Sequence, residues 1–406
     1  MGVPLSFSLR LSAVTRMASV RAIRPDAVFY TGGARLLHGG DPYDVIGHII
    51  DADYLGCAYQ SHLVRRWAGA ARDRRKVYMF DYVSRTVRYS LESLLQGARM
   101  IGDYRFNYIG LAKSEDQRER EGRFIERFVQ WGGTRPARPP IAFLVSRASE
   151  AWWPMDCKTN LLTAGQADRA WAVSETLYAF LLKNGYPFDV FYLDQAADLD
   201  ALKAYRLVVA PFAYSMPAAA LEPMMKAYEA GANFLIAERQ GEVDEVGRPH
   251  PAPLLAGLIA RDAGGGRVRF LEEDLPALEH DRAFVPRLSA VVDALLGPHK
   301  ELLLERYGNR IEAFDAAVKP DERYLSFINW EDRESRFETG VKLPEGRYRV
   351  LTLSSARPDA FRSGVLEGRT EFAAGELARF ALKLLGDEVV SLYIVPAEGN
   401  RGKPPP

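Results

Sequence analysis

The first third of the chain alternates short apolar runs with amphipathic ones. "DAVFYTGG" (26–33), "DADYLGCAYQ" (51–60), "VYMFDY" (77–82) and "ARMIGDYRF" (98–106) are brief, mostly apolar stretches. Runs this short, bounded by glycines or charges, read as buried strands. Between them "PYDVIGHII" (42–50), "SHLVRRWAGAARD" (61–73) and "SLESLLQGAR" (90–99) carry helical spacing. "DQREREGRFIERFVQW" (116–131) then sets Phe124, Phe128 and Trp131 on one stripe of a charged helix. Strands separated by helices predict βα units on a parallel sheet. Four such units are half of a (β/α)8 TIM-type barrel.

"GGTRPARPP" (132–140) reads as a linker, and a second α/β pattern follows it. Strands are predicted at "IAFLVS" (141–146), "FDVFYL" (188–193), "RLVVAPF" (206–212) and "ANFLIAE" (232–238). Helices are predicted at 168–185 and 217–231, each ending in a glycine (Gly185, Gly231) that suits a C-terminal cap. The alternation predicts a doubly wound, flavodoxin-like sheet. From about residue 300 the pattern changes to "ELLLERYGNRIEAFDAAV", "RYLSFINW", "RFETGVKL", "GRYRVLTLS" and "DEVVSLYIVP", with one helix predicted at "AGELARFALKLLG" (374–386). An antiparallel β-sandwich is the expected solution. The expected organisation is 1–135, 136–299 and 300–396, with a disordered tail at 397–406.

Composition narrows the classes. At 406 residues, with 48% apolar and 26% charged, the chain is a multidomain globular protein. Lys+Arg and Asp+Glu are both 53, so net charge is zero and no nucleic-acid partner is expected. Cys57 and Cys157 are its two cysteines, which fits a reducing cytoplasm and excludes a disulfide framework. No run approaches the roughly 18 apolar residues of a membrane span, so no membrane partner is expected. The opening stretch carries Arg10, Arg16 and Arg21 with Leu11, Val14 and Met17 at helical spacing. It reads as an amphipathic helix ending before Pro25, not as a signal peptide. The histidines lack metal-ligand spacing, and "AGGGR" (263–267) lacks the Lys-Ser/Thr of a phosphate loop. No metal or cofactor is therefore expected. "GEVDEVGRP" (241–249) reads as a hairpin loop.

Asp81 closes the third apolar run. It is either a functional carboxylate at the mouth of a barrel or a turn residue capping a strand.

The order of segments and their residues resemble glycoside hydrolase family 42, the β-galactosidases that carry a trimerisation domain. "RAIRPDAVFYTGG", "DADYLGCAYQSHLVRRWA", "KVYMFDY" and "LLQGARMIGDYRFNYIG" are similar to strands five to eight of that family's barrel. "YRLVVAPFAYSMPAAALEPMMKAYEAGANFLIAERQGEVDEVGRP" resembles its trimerisation domain, and "YLSFINWED" with "LPEGRYRV" its C-terminal sandwich. The resemblance implies a retaining β-galactosidase acting on carbohydrate, assembled as a homotrimer, with Asp81 at the nucleophile position. The family has a glutamate there, one methylene longer. Its acid/base glutamate lies on the fourth strand, and the expectation is that this chain begins after that strand. A retaining enzyme needs two carboxyl groups about 5–5.5 Å apart, so a fragment or degenerate member is expected. A non-catalytic assembly or carbohydrate-binding protein is the other reading. Substrate-side candidates are Tyr59, Tyr82, Asp103 and Arg105 around the barrel mouth, and Trp152 and Trp153 in the second domain. Asp103 is either a partner carboxylate or a group paired with Arg105, and the tryptophans suit either a sugar ring or an interface. The middle domain shares the class I amidotransferase fold. That chemistry needs a cysteine on a sharp strand-to-helix turn, and Phe212-Ala213-Tyr214 follows "LVVAP" instead.

Overall fold

The computed structural model describes residues 139–149, 169–262, 267–273, 283–297, 311–319, 321–356 and 369–397 and the helix 115–130. It also describes short stretches at 22–23, 30–31, 54–58, 77–81, 91–92, 94–95, 100–103, 153, 275 and 302–304. The chain divides into two compact units, Met1–Lys113 and Ser114–Pro406.

In the first unit, β1 (Tyr30–Thr31), β2 (Tyr54–Ala58), β3 (Val77–Asp81) and β4 (Met100–Asp103) pair in the order of the sequence. Every pairing is parallel. Each strand falls inside one of the four apolar runs. Leu91, Leu94 and Leu95, at helical spacing, are buried. Strands that each pair with their sequence neighbour, with no reversal, are the arrangement of a barrel-type sheet. The helices predicted at 42–50 and 61–73 lie outside the described residues, as does most of the N-terminal helix.

The second unit opens with α1 (Glu115–Gln130), whose stripe buries Phe124 and Phe128. Then come β5 (Ile141–Val145), α2 (Arg169–Lys183), β6 (Phe188–Tyr192), α3 (Ala196–Leu199), β7 (Leu207–Ala210) and β8 (Ala213–Ser215). They are followed by α4 (Leu221–Glu229), β9 (Asn233–Ala237), β10 (Gln240–Val243), α5 (Ala256–Arg261), β11 (Val268–Leu271) and α6 (Phe284–Leu296). A five-stranded parallel sheet has the order β11-β9-β7-β5-β6. Numbered by succession that is 2-1-3-4-5, the flavodoxin-like order, with its switch point at β5. Its strands are near-continuous apolar runs because helices cover both faces; β5 and β7 are buried throughout. Gly185 (φ 70°) and Gly231 (φ 104°) follow α2 and α4 in the left-handed region, where glycine is favoured.

Beyond it run β12 (Leu302–Leu304), β13 (Ile311–Lys319), β14 (Glu322–Asn329), β15 (Ser335–Val341), β16 (Arg347–Ser354) and β17 (Glu371–Ala373). One turn of helix, α7 (Ala374–Leu377), precedes β18 (Phe380–Leu384) and β19 (Val389–Pro396). They form two antiparallel sheets, β12-β15-β18 and β13-β14-β19-β16-β17. Leu325, Phe327, Val390 and Leu392 of one sheet share a core with Phe337, Val341, Leu382 and Leu384 of the other. Phe128 of α1 packs edge-on against Tyr324 on the opposite face of β14, with centroids 5.4 Å apart.

The helix predicted at 374–386 is a correction. It stops at Leu377, and Phe380–Leu384 is a strand paired with β15. Leu377, Phe380 and Leu384 do fit a helical stripe, yet Leu382 and Leu384 also alternate with Lys383. Pairing with β15 buries both leucines and leaves Lys383 outside, on Glu334 at 2.6 Å. Period two wins because a sheet edge is available to satisfy the backbone.

Candidate functional site

Two carboxylates end adjacent strands. Asp81 is the last residue of β3, Asp103 is the last of β4, and they are register partners. Neighbouring strands run roughly 4.8 Å apart. The two residues are thus placed side by side at the carboxyl edge of the first sheet, where barrel-type folds carry their chemistry. Tyr59, Tyr82, Arg105 and Trp152 lie outside the described residues.

A second concentration of polar and aromatic groups stands at the carboxyl edge of the five-stranded sheet. Here β7 and β9 continue past the edge as β8 and β10, a parallel two-stranded ribbon. Three buried serines tie it down. Ser146, just after β5, donates its Oγ–H to the Ser215 carbonyl (2.5 Å), and Ser149 Oγ accepts from Ser215 N–H (2.8 Å). Ser149 Oγ in turn donates to Ser146 Oγ (2.6 Å). Trp153 packs edge-on against Phe212 (5.5 Å) and Tyr214 (5.1 Å), which flank the start of the ribbon. Arg147 pairs with Asp194, and its guanidinium lies 4.5 Å from the Tyr192 ring centroid. The inner part of the switch-point crevice is therefore filled by the chain itself.

A strained turn follows β9. Leaving β9, the Arg239 N–H donates to the Ala237 carbonyl (2.6 Å), closing a γ-turn on Glu238 at φ 52°. A non-glycine residue in that region costs about 1–3 kcal/mol and persists only where its surroundings hold it. Arg169 does so with two parallel bonds, Nε to Oε2 at 2.8 Å and Nη2 to Oε1 at 2.9 Å. Sequence reasoning missed Glu238 and Arg239. Their signal was a charged pair directly after "NFLIA", with nothing to mark the dihedral angle. Arg169→Met would leave the Glu238 carboxylate buried without its fork, and is expected to cost roughly 1.5–3 kcal/mol in urea unfolding. An unchanged midpoint would show that the pair holds nothing.

Arg239 lays its guanidinium over the Trp153 indole, 4.2 Å from the centroid. Glu242 Oε1 lies 3.8 Å from its Nη1. Burial is the main influence on Glu242 and raises its pKa. Among the described residues, no group of three metal-ligating side chains occurs, and no helix is long and apolar enough to cross a membrane.

The comparisons with known proteins agree on architecture. A β-galactosidase from Bacillus circulans sp. alkalophilus matches 96% of this chain and 66% of its own, at 12% identity and TM-score 0.66. A β-galactosidase from Rahnella sp. R3 matches 94% and 67%, at 13% identity and TM-score 0.59. An exo-carrageenase of family GH42 from Bacteroides ovatus matches 97% and 56%, at 13% identity and TM-score 0.56. No family model matches the sequence, and no curated protein matches it. At such identities the likeness defines a fold: a mixed α/β chain with a parallel sheet, shared with these glycoside hydrolases. The chain spans between about half and two-thirds of the length of these structures.

Proposed function

We propose that the protein is a β-galactosidase-like glycoside hydrolase in which Asp81 occupies the nucleophile position. The observation that carries this reading is the placement of Asp81 at the carboxyl end of β3, beside Asp103, in a chain with a glycosidase fold. Its carboxylate would attack the anomeric carbon, forming a glycosyl ester as the leaving-group oxygen departs. Water would then hydrolyse the ester. Tyr59, Tyr82 and Arg105, nearby in the sequence, are the proposed substrate-side groups, and Asp103 the neighbouring carboxylate. An aspartate reaches about one ångström less far than the family's glutamate, a displacement that weakens attack.

An activated aryl β-galactoside such as the 2,4-dinitrophenyl compound tests Asp81 alone, because its leaving group needs no protonation. The wild type is expected to release phenolate, Asp81→Ala at least tenfold more slowly, and Asp81→Glu faster than Asp81→Ala. Added azide should attack the anomeric carbon in Asp81→Ala and yield an α-galactosyl azide. Equal rates in wild type and Asp81→Ala would remove Asp81 from the reaction.

A further inference from the structure

We propose that the rim of the second sheet's carboxyl edge binds a neutral sugar, with one hydroxyl held between Arg239 and Glu242 beside Trp153 and Tyr214. The place is the one where open parallel sheets take ligands, outside the strand ends at the switch point. With the inner crevice filled by the serine-tied ribbon, this rim is what the described residues leave accessible. Trp153, Tyr214, Arg239 and Glu242 are all half-buried there.

Arg239 is held ready and unspent. The γ-turn at Glu238 fixes its backbone and the Trp153 indole supports its guanidinium. Among the described hydrogen bonds none engages that guanidinium, and the 3.8 Å gap to Glu242 is too long for one. A hydroxyl oxygen about 2.9 Å from both groups completes a triangle on that gap, accepting from Arg239 and donating to Glu242. Among the described residues the charges around it balance. Arg147, Arg169 and Arg239 stand with Asp194, Glu238 and Glu242, so the site favours neither an anion nor a cation. A neutral polyol with an apolar face fits the charges, and the edges of Trp153 and Tyr214 supply the apolar contact. The choice of a sugar among polyols rests on the glycosidase reading; the geometry of the site does not.

Titration calorimetry of the full chain with methyl β-galactoside tests it, with galacturonate as the charged comparison. The wild type is expected to bind methyl β-galactoside with Kd on the order of 1–10 mM, and galacturonate more weakly. Arg239→Met keeps the packing on Trp153 but removes the donors, and should weaken binding at least tenfold, with Glu242→Gln as a second, milder variant. Circular dichroism checks that both variants are folded. No saturable heat by ~100 mM overturns the proposal. So does an unchanged Kd in folded Arg239→Met, or a loss of binding in Asp81→Asn instead, which would place the sugar elsewhere. Failure of the wild type to cleave aryl galactosides would leave this prediction standing, since binding at the rim needs no catalysis.

Discussion

Replacing Asp315 by asparagine is expected to stabilise the protein at pH 8 and to flatten its stability between about pH 4 and 7. On β13 the alternation that buries Ile311 and Ala313 also turns Asp315 into the core between the two antiparallel sheets. Its side chain is 8% exposed, and Arg323, its diagonal neighbour on β14, lies 3.7 Å away, beyond hydrogen-bonding distance. Asp315 Oδ1 has no hydrogen-bond partner. Burial therefore outweighs the guanidinium and pushes the Asp315 carboxyl up to about 7. The sign follows from linkage. In the unfolded chain the group titrates near 3.8, so between 3.8 and about 7 the folded state holds a proton that the unfolded state has released. Stability is full below that window and falls across it, by up to ~4 kcal/mol if burial alone acts. Thermal melts should show Asp315→Asn exceeding the wild type by roughly 5–10 °C at pH 8, with the two converging near pH 4. Parallel curves across the whole range would mean that Asp315 is ionised, with Arg323 compensating its burial.

Gly340→Ala is expected to break the sandwich. Gly340 lies on β15, and a Cβ there would fall 1.9 Å from the Ala378 carbonyl oxygen and 2.4 Å from its carbon. The obstacle is backbone, so no rotamer change relieves it, and β15 and β18 would have to part where Thr339 pairs with Phe380. Loss of about 4 kcal/mol or more is expected, well above the usual range for a single substitution. Urea unfolding followed by near-ultraviolet circular dichroism would read it. A midpoint within error of the wild type would show that the strands separate freely there. Gly386 supplies a second check, since its Cβ would meet the Asp332 carbonyl oxygen at 2.3 Å. That corner is fixed by Asn329, whose Nδ2 donates to the carbonyls of Arg333 (2.9 Å) and Leu385 (2.8 Å).

Short apolar runs located the strands because burial on both faces of a parallel sheet leaves no room for polar residues. Every described strand of the first sheet, and four of the five in the second, lies within such a run. The exception, β11, carries Arg269 on an exposed position and sits at the sheet edge. Strand order was legible only as a class, because which strand lies beside which depends on crossovers that leave no mark on composition. Asp81 was named from its place at a strand end and Asp103 as a carboxylate within the neighbouring run, but their register partnership is a property of pairing. Trp153 was legible as an aromatic after β5, whereas its partner Arg239 was not. Nothing in "NFLIAERQ" announces that residue 238 adopts a positive φ, and that dihedral angle is what places the guanidinium. Asp315 was hidden in another way. Reading "IEAFDAAV" as a strand assigns its alternation, yet a carboxylate on the inward face contradicts the usual exclusion of charge from cores.

The topology of the sandwich also orders events in time. β13 and β14 form a hairpin from adjacent sequence, but β14 completes its pairing only with β19, where Tyr393 bonds Glu322 across 71 residues. β19 lies in the middle of the five-stranded sheet, with β16 on its other side. During synthesis every described strand of both parallel sheets is made before that central strand leaves the ribosome. Until then β14 and β16 expose edges that should stay together. A nascent chain stopped at Asp387 would carry the whole apolar content of one half-sheet with no strand to close it. Arrest or premature termination ahead of Val389 would thus leave β14 and β16 without the strand that joins them.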